Sequence, residues 1–193
     1  RQSSSSTRRW LGLRASASEL SLEKQAASFD AEQAALYSRM ADNHRHPQGP
    51  WKVMLEAVQG AVADSANPTI LDLASGPGEP AATIARAIPG ASVIATDISP
   101  DMVATAAKVA ATLPNMKAEA CDMEAISAHS DGSLDVVTCC YGFMFPPNKE
   151  KAIEEAFRVL KPGGTLVATT WNNVIMMTML RDLMTSVLGS PPP

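Results

Sequence analysis

One stretch of the chain, ILDLASGPGEPA at residues 70–81, constrains the fold more than any other part of the sequence. Its first residues are apolar, as in a buried strand, and include one carboxylate, Asp72. Gly76 and Gly78 allow a sharp turn and the close approach of a ligand, because neither has a Cβ atom. Pro80 suits the first turn of a helix, where its missing N–H would have no partner. The stretch therefore predicts a strand, a glycine turn and a helix whose N-terminus faces a nucleotide-like ligand.

Strand and helix patterns alternate from residue 69 onward, which predicts the fold class. Strands are predicted at residues 69–73, 92–96, 117–120, 134–141 and 165–170, and helices at 80–88, 100–113 and 150–160. The segment Lys-Pro-Gly-Gly at 161–164 is predicted to be a turn that precedes the fifth strand. This alternation is typical of an α/β fold, a Rossmann-like doubly wound parallel sheet with helices on both faces. Ligands of such sheets bind at the carboxyl ends of the strands.

The regions that flank this pattern have different compositions. Helical periodicity predicts an N-terminal helical cap over residues 19–66, and a last helix is predicted at 174–188 before a short tail, 189–193. Residues 1–18 contain four arginines and no acidic residue, which predicts a disordered tail or an organelle transit peptide. With a transit peptide the protein would be mitochondrial or plastid, and otherwise cytoplasmic.

Composition excludes several classes of partner. The chain has a net charge of −4 although its first residues are basic, so its body is acidic and nucleic acid is not expected as the main partner. No apolar run approaches the roughly 18 residues of a membrane span, so we expect a soluble protein. Cys121, Cys139 and Cys140 lack metal-ligand spacing, and His44-x-His46 lacks a third ligand, so no metal is expected. The oligomeric state is left open.

Two further carboxylates stand where a nucleotide-like ligand would need them. Asp97 falls at the end of the second predicted strand, 19 residues after Gly78, where dinucleotide folds bind ribose hydroxyls. Asp122 follows the third strand, at the same edge of the sheet. Asp72 suits a ligand with a positively charged amino group nearby.

Over residues 69–171 the sequence resembles the class I S-adenosylmethionine-dependent methyltransferases, in the broad type 11 methyltransferase-domain group. The resemblance rests on five segments in order, ILDLASGPGEPA, VIATDISPDMV, AEACDMEAI, SLDVVTCCYGF and AFRVLKPGGTLVATTW. Within that group, the pattern is most similar to the ubiquinone/menaquinone-biosynthesis C-methyltransferases. It departs from them at residues 143–147 and 169–173, on the substrate side, so a quinone acceptor does not follow.

The resemblance implies S-adenosylmethionine as the cofactor, a small-molecule methyl acceptor and a methyltransferase domain at residues 67–188. It assigns the cofactor-binding roles residue by residue. The methionine end would lie at Asp72, Ala74, Gly76 and Gly78, the ribose at Asp97, and the adenine at Ile98, Asp122 and Met123. The family fold ends with further strands, the last of them antiparallel, which this sequence lacks. We therefore expect a fragment without those C-terminal strands.

The acceptor side is less well defined by the sequence. The candidate substrate residues are Tyr37, His46, Trp51, Tyr141 and Trp171. Methyl transfer is an in-line displacement that depends on holding the acceptor about 3 Å from the methyl carbon. A general base is needed only if the acceptor loses a proton, and His44, His46 and His129 are the available histidines. No catalytic residue is assigned from the sequence.

Two alternative functions stay open at this point. The pattern Gly76-x-Gly78-x-x-Ala81 followed by Asp97 is also compatible with an NAD-dependent oxidoreductase. The expected loss of the final strands is compatible with a non-catalytic, truncated methyltransferase-like binding module.

Overall fold

The structure is a computed structural model that describes residues 29–44, 46 and 49–170. Its helices are α1 (Ala31–His44), α2 (Pro50–Ala61), α3 (Ala81–Ala87), α4 (Pro100–Ala110) and α5 (Lys149–Val159). Its strands are β1 (Thr69–Leu73), β2 (Ser92–Asp97), β3 (Met116–Ala120), β4 (Leu134–Cys140) and β5 (Leu160–Thr169). Outside the described residues lie the segment 1–18, predicted to be a disordered tail or a transit peptide, the helix predicted at 174–188 and the tail after it.

The five strands form one sheet in the order β3-β2-β1-β4-β5, and every neighbouring pair is parallel. Strand β1 lies in the middle, where Asp72 is in register with Ala95 of β2 and with Thr138 of β4. The strand order reverses direction between β1 and β4, which makes this the switch point of the sheet. The prediction of a Rossmann-like, doubly wound α/β fold is confirmed.

Alternate residues of the strands form two separate cores, one on each face of the sheet. On one face Ile70, Val93 and Val136 pack with buried residues of α2, α3 and α4. On the other face Leu71 and Val137 pack with buried residues of α5. Near-continuous apolar strands such as β1 are expected where helices cover both faces.

Two helices begin with side-chain caps. The backbone N–H of Met102 donates to Oγ of Ser99 at 3.3 Å, and Pro100 occupies the first turn of α4. The backbone N–H of Lys151 donates to Oδ1 of Asn148 at 3.0 Å, at the start of α5. Both helices run from the sheet edge where the cavity described below is found.

The prediction that a turn at residues 161–164 precedes the fifth strand is wrong, because these residues lie within β5. Strand β5 already begins at Leu160, which pairs with Leu134, and the next pair joins Thr165 to Val136. Residues 161–164 therefore form an irregularity within β5, opposite a single residue, Asp135. Local Pro-Gly-Gly chemistry predicts a chain reversal, but pairing with β4 on both sides keeps the segment in the strand.

Among the described residues, no helix has both the length and the apolar character that a membrane crossing requires.

Candidate functional site

A cavity of about 410 Å³ lies at the carboxyl ends of the strands. Its walls include residues that directly follow β1, β2, β3 and β4, together with side chains of α1 and α2. This volume lies within the usual range for small-molecule sites, and the position is where ligands of doubly wound sheets bind.

The glycine turn after β1 forms one wall of the cavity. Ala74 and Gly76 both line it, and both have left-handed backbone conformations, with φ of 51° and 57°. The N–H of Ser75 donates to the carbonyl oxygen of Thr96 at 2.8 Å, which attaches the turn to β2. Gly78, with φ of 106°, does not line the cavity. A Cβ atom on Gly78 would lie 3.1 Å from Cα of Ala106, so this glycine lets the turn pack against α4.

Asp97 lines the cavity at the end of β2 and is held by both carboxylate oxygens. Oδ2 accepts a hydrogen bond from the backbone N–H of Gly76 and Oδ1 accepts one from Ser99, each at 2.9 Å. Burial raises the pKa of this carboxyl, and the backbone hydrogen bonds act in the opposite direction. Each carboxylate oxygen can accept more than one hydrogen bond, so Asp97 can still bind ligand hydroxyls.

Asp72 does not reach the cavity wall, unlike the sequence expectation that it contacts the ligand. It lies on the same face of β1 as Ile70, beneath the turn, and is fully buried. Oδ1 accepts a 2.6 Å hydrogen bond from Oγ1 of Thr138, whereas Oδ2 and the nearby Ser75 Oγ have no partner of good geometry within the described part of the chain. Burial raises the pKa of Asp72 to about 6, and the side chains of Ser75 and Thr138 oppose that shift. Asp72 therefore lies beneath the turn and not in the cavity wall.

The residues predicted to contact an adenine ring are brought together. Ile98, Asp122 and Met123 all line the cavity beside Asp97. Oδ1 of Asp122 accepts a 2.8 Å hydrogen bond from the backbone N–H of Glu124, which orients the carboxylate in its loop.

The predicted acceptor residues are only partly brought together. Tyr37, Trp51 and Tyr141 line the cavity, but His46 is exposed and does not, and Trp171 lies outside the described residues. Helix α1 continues to His44, so it is the ring of His44 that lines the cavity.

Several lining residues were not assigned from the sequence. They include Phe29, His44, Ser75, Glu79, Arg86, Cys140, Gly142 and Phe145. Gly142 had a usable signal, because it is a glycine directly after a predicted strand. A Cβ atom there would lie 2.5 Å from Sγ of Cys139 and 2.7 Å from Cβ of Ala74. Phe29 had none, since the approach of α1 to the sheet is a tertiary contact.

The charged lining residues are mostly acidic. Arg86 is the only lysine or arginine among the described lining residues, and it pairs with Glu79 at 3.1 Å. Asp97 and Asp122 therefore give the cavity a negative character that suits a ligand with positive groups.

A five-stranded parallel core in this order, with a glycine turn after the central strand and carboxylates at the next two strand ends, defines the class. It is the S-adenosylmethionine-dependent methyltransferase fold of class I. Residues 70–164, just under half of the chain, match the model of the methyltransferase-domain family. The expected resemblance is confirmed.

Known proteins with this similarity include enzymes and proteins of unknown activity. The demethylmenaquinone methyltransferase of Thermus thermophilus is 38% identical over 99 residues, which cover 51% of this chain and 44% of that protein. An uncharacterized protein of Mycobacterium bovis is 31% identical over 165 residues, 81% of this chain and 56% of that protein. The chain thus spans about half the length of these curated relatives.

The solved structures support the fold. A crystal structure from Methanococcus maripaludis, assigned as an S-adenosyl-L-methionine-dependent methyltransferase, superposes with a TM-score of 0.64 at 21% identity. The match covers 82% of this chain and 72% of that one.

Proposed function

We propose that the chain binds S-adenosylmethionine in this cavity and transfers its methyl group to a small-molecule acceptor by in-line displacement. The observation that carries the proposal is the position of Asp97. Asp97 lines the cavity, and its carboxylate is fixed by the backbone of the glycine turn at 2.9 Å, so one ligand can contact both at once.

The residues present fit this cofactor part by part. Ala74 and Gly76 expose turn backbone to the cavity, which suits the methionine end. Asp97 is placed to accept hydrogen bonds from ribose hydroxyls, each worth about 1.5–3 kcal/mol when the acceptor is charged. Ile98 offers an apolar surface to the adenine ring, and Asp122 and the Met123 backbone offer the polar contacts at its edge. Asp72 supports the turn from beneath, and Gly78 packs it on α4.

When bound, the cofactor supplies a methyl group on a positively charged sulfur. The chain's own contribution is positional. The aromatic side chains that line the cavity exclude water and hold the acceptor in line with the methyl group. In well-oriented reactions such positioning lowers the activation barrier by several kcal/mol, and by about 7–11 kcal/mol in the best cases. The acidic lining residues stabilise the positive charge of the bound cofactor.

Isothermal titration with S-adenosylhomocysteine tests the cofactor assignment. We expect micromolar binding by the full chain, a rise in Kd of at least tenfold in Asp97→Asn, and no binding of NADH. Asp101→Asn is the matched control, because Asp101 is an exposed carboxylate in the first turn of α4 and does not line the cavity. Thermal melting of each variant separates a lost contact from a lost fold.

Each outcome bears on a different reading. NADH binding without S-adenosylhomocysteine binding would replace the methyltransferase by an oxidoreductase. Binding of S-adenosylhomocysteine by a chain that transfers no methyl group to any extract component would leave a binding module only.

A further inference from the structure

We propose that the acceptor is an uncharged aromatic molecule with an ionisable hydroxyl group, and that His44 accepts the proton of that hydroxyl. The proposal rests on the proposed function and assigns the acceptor class for the same cavity.

Two groups of rings that line the cavity, hereafter the two ring clusters, indicate a flat acceptor. In the first cluster the ring centroid of Phe29 lies 5.2 Å from that of Phe145, in an edge-to-face arrangement, and 6.2 Å from that of Tyr37. In the second cluster the ring of His44 lies 5.3 Å from that of Trp51 and 6.3 Å from that of Tyr141. Aromatic walls of this kind bind flat aromatic molecules by offset stacking and edge-to-face contacts.

The distribution of charge indicates that the acceptor is uncharged. The charged side chains that line the cavity come from the glycine turn, from α3 and from the ends of β2 and β3. They are Glu79, Arg86, Asp97 and Asp122. The two ring clusters contain no carboxylate, lysine or arginine. An ionised acceptor held between these rings would lose its hydration without gaining an ionic partner.

Tyr141, in the second cluster, has a strained backbone conformation. It has a left-handed backbone, with φ of 57°, which is unfavourable for a bulky aromatic residue. Its N–H donates to the carbonyl oxygen of Thr169 at 3.1 Å, so the pairing of β4 with β5 maintains this conformation. Strained backbone of this kind clusters at functional sites.

Among the described residues of this region, His44 is the group that can take a proton at neutral pH. It is half-buried at the end of α1, and burial lowers its pKa, so the imidazole is neutral and has a free nitrogen lone pair. Three other titratable groups line this region, namely Tyr37 on α1, Cys140 on β4 and Tyr141 after it, whereas Trp51 on α2 does not titrate. Burial raises the pKa of Cys140 to about 11 and also raises that of Tyr141, so both keep their protons.

The proposed step balances without any further reactant. The acceptor O–H bond breaks and its proton moves to the free ring nitrogen of His44. The acceptor oxygen uses its electron pair to form the new bond to the methyl carbon, and the electron pair of the broken carbon–sulfur bond stays on sulfur. His44 then releases its proton to water.

Three small probes test the acceptor class on the full chain saturated with S-adenosylhomocysteine. They are para-nitrophenol, nitrobenzene, which lacks the hydroxyl, and para-nitrobenzoate, which is charged. At a pH between the pKa of the His44 imidazole and that of the phenol, where the imidazole is neutral and the phenol keeps its proton, we expect para-nitrophenol to bind about tenfold more tightly than nitrobenzene, which corresponds to one hydrogen bond of about 1.4 kcal/mol. We expect para-nitrobenzoate to bind most weakly.

The role of His44 is tested with three variants. His44→Phe keeps an aromatic ring but has no acceptor, so the preference for the phenol should disappear. His44→Gln keeps an acceptor that does not titrate, so it should retain part of the preference. In the unmodified chain the affinity for para-nitrophenol should fall as the pH drops through the lowered pKa of the imidazole and the ring becomes charged, and this fall should be absent in both variants. His46→Phe, at an exposed histidine that does not line the cavity, should keep both the preference and the pH dependence.

The outcomes separate this proposal from the proposed function. Bound S-adenosylhomocysteine with no binding of the aromatic probes, or with para-nitrobenzoate as the tightest, would overturn the acceptor class alone. A phenol preference that survives in His44→Phe, or that is lost in His46→Phe, would overturn the role of His44. Absence of S-adenosylhomocysteine binding by the folded chain would instead overturn the proposed function.

Discussion

The backbone N–H of Gly76 donates a 2.9 Å hydrogen bond to Oδ2 of Asp97, and this bond joins the turn after β1 to the end of β2. The other oxygen of the same carboxylate accepts from the N–H of Ser99, at the start of α4. One side chain thus fixes two of the segments that line the cavity. A ligand that meets Asp97 meets a carboxylate whose orientation is set before binding, which lowers the entropy cost of binding.

The two glycines of the turn should respond differently to an added methyl group. In Gly76→Ala the only atom of the described residues that the new Cβ meets is Sδ of Met102, at 4.0 Å, so the loss of stability should be the left-handed strain of about 1–2 kcal/mol. Because Gly76 lines the cavity, we expect the Kd of S-adenosylhomocysteine to rise by roughly tenfold, about 1.4 kcal/mol.

In Gly78→Ala the Cβ would lie 3.1 Å from Cα of Ala106, so the backbone must move. This overpacking should cost about 1–3 kcal/mol of unfolding free energy in addition to the left-handed strain. Urea unfolding and titration calorimetry on both variants give the two quantities. A Gly78→Ala chain of normal stability with weakened binding would show that Gly78, not Gly76, contacts the ligand.

Ser99 should affect both the stability of α4 and the closure of the cavity. Its Oγ donates to the carbonyl oxygen of Phe29 at 2.5 Å and accepts from the N–H of Met102. Ser99→Ala loses the helix cap, which costs about 1 kcal/mol, and releases Phe29, which lines the cavity. Ser99→Asp keeps a cap but cannot donate when ionised.

We therefore expect Ser99→Asp to recover the capping bond of α4, with a smaller gain in stability because its buried carboxylate lies beside Asp97. Both variants should release S-adenosylhomocysteine faster, as measured by stopped-flow displacement. A normal release rate in Ser99→Asp would mean that the bond to Phe29 does not hold the cavity closed.

Most of the sheet could be predicted from local patterns. Strand β1 has the predicted bounds, and β2, β3 and β4 differ from prediction by one residue at one end. Apolar runs and turn residues are local signals, and a parallel sheet places strand ends at one edge. That is why Asp97 and Asp122 could be assigned to one cavity before their positions were known.

The remaining features depend on tertiary contacts or on small shifts along an element. His44 rather than His46 lines the cavity because α1 extends to residue 44, and helix ends are uncertain by one or two residues from sequence. The family resemblance implies that Asp72 contacts the ligand, whereas strand alternation places it with Ile70 beneath the turn. The ring of Phe29 reaches the cavity only through the packing of the chain before α1.

Gly142 should be intolerant of any side chain. A Cβ atom there would lie 2.5 Å from Sγ of Cys139 and 2.7 Å from Cβ of Ala74, both within the packed wall of the cavity. We expect Gly142→Ala to lose about 1–3 kcal/mol of unfolding free energy in urea. Gly60→Ala is the matched control, because none of the described residues lies within 4 Å of a Cβ on that helical residue. It should gain roughly 0.5–1 kcal/mol. Equal effects of the two substitutions would contradict the close packing at Gly142.

Asp72 should make the protein less stable as the pH rises through the range in which this carboxyl ionises. Its folded pKa is about 6, above the ordinary value of 3.8, because burial disfavours the charged form. Between these two values the folded state binds more protons than the unfolded state, so the unfolding free energy decreases with pH. Asp72→Asn removes this decrease, and its stability relative to the unmodified chain should improve by about 2–3 kcal/mol across the window.

Asp135 is a control for that measurement, because its carboxyl should change the stability with pH in the opposite direction. Burial raises the pKa of its carboxyl, but hydrogen bonds from Nζ of Lys161 at 2.7 Å and from the N–H of Thr69 at 2.8 Å outweigh it and lower the pKa overall. Asp135 therefore stabilises the fold above its unfolded pKa, and that stabilisation is lost as the pH falls. In urea titrations at a series of pH values, Asp135→Asn should lose stability most at neutral pH, where Asp72→Asn gains it. Only the pH dependence is compared, so a constant packing cost of either amide does not affect the result. Parallel curves for Asp72→Asn and the unmodified chain would mean that the Asp72 carboxyl ionises in the folded protein as readily as in the unfolded one.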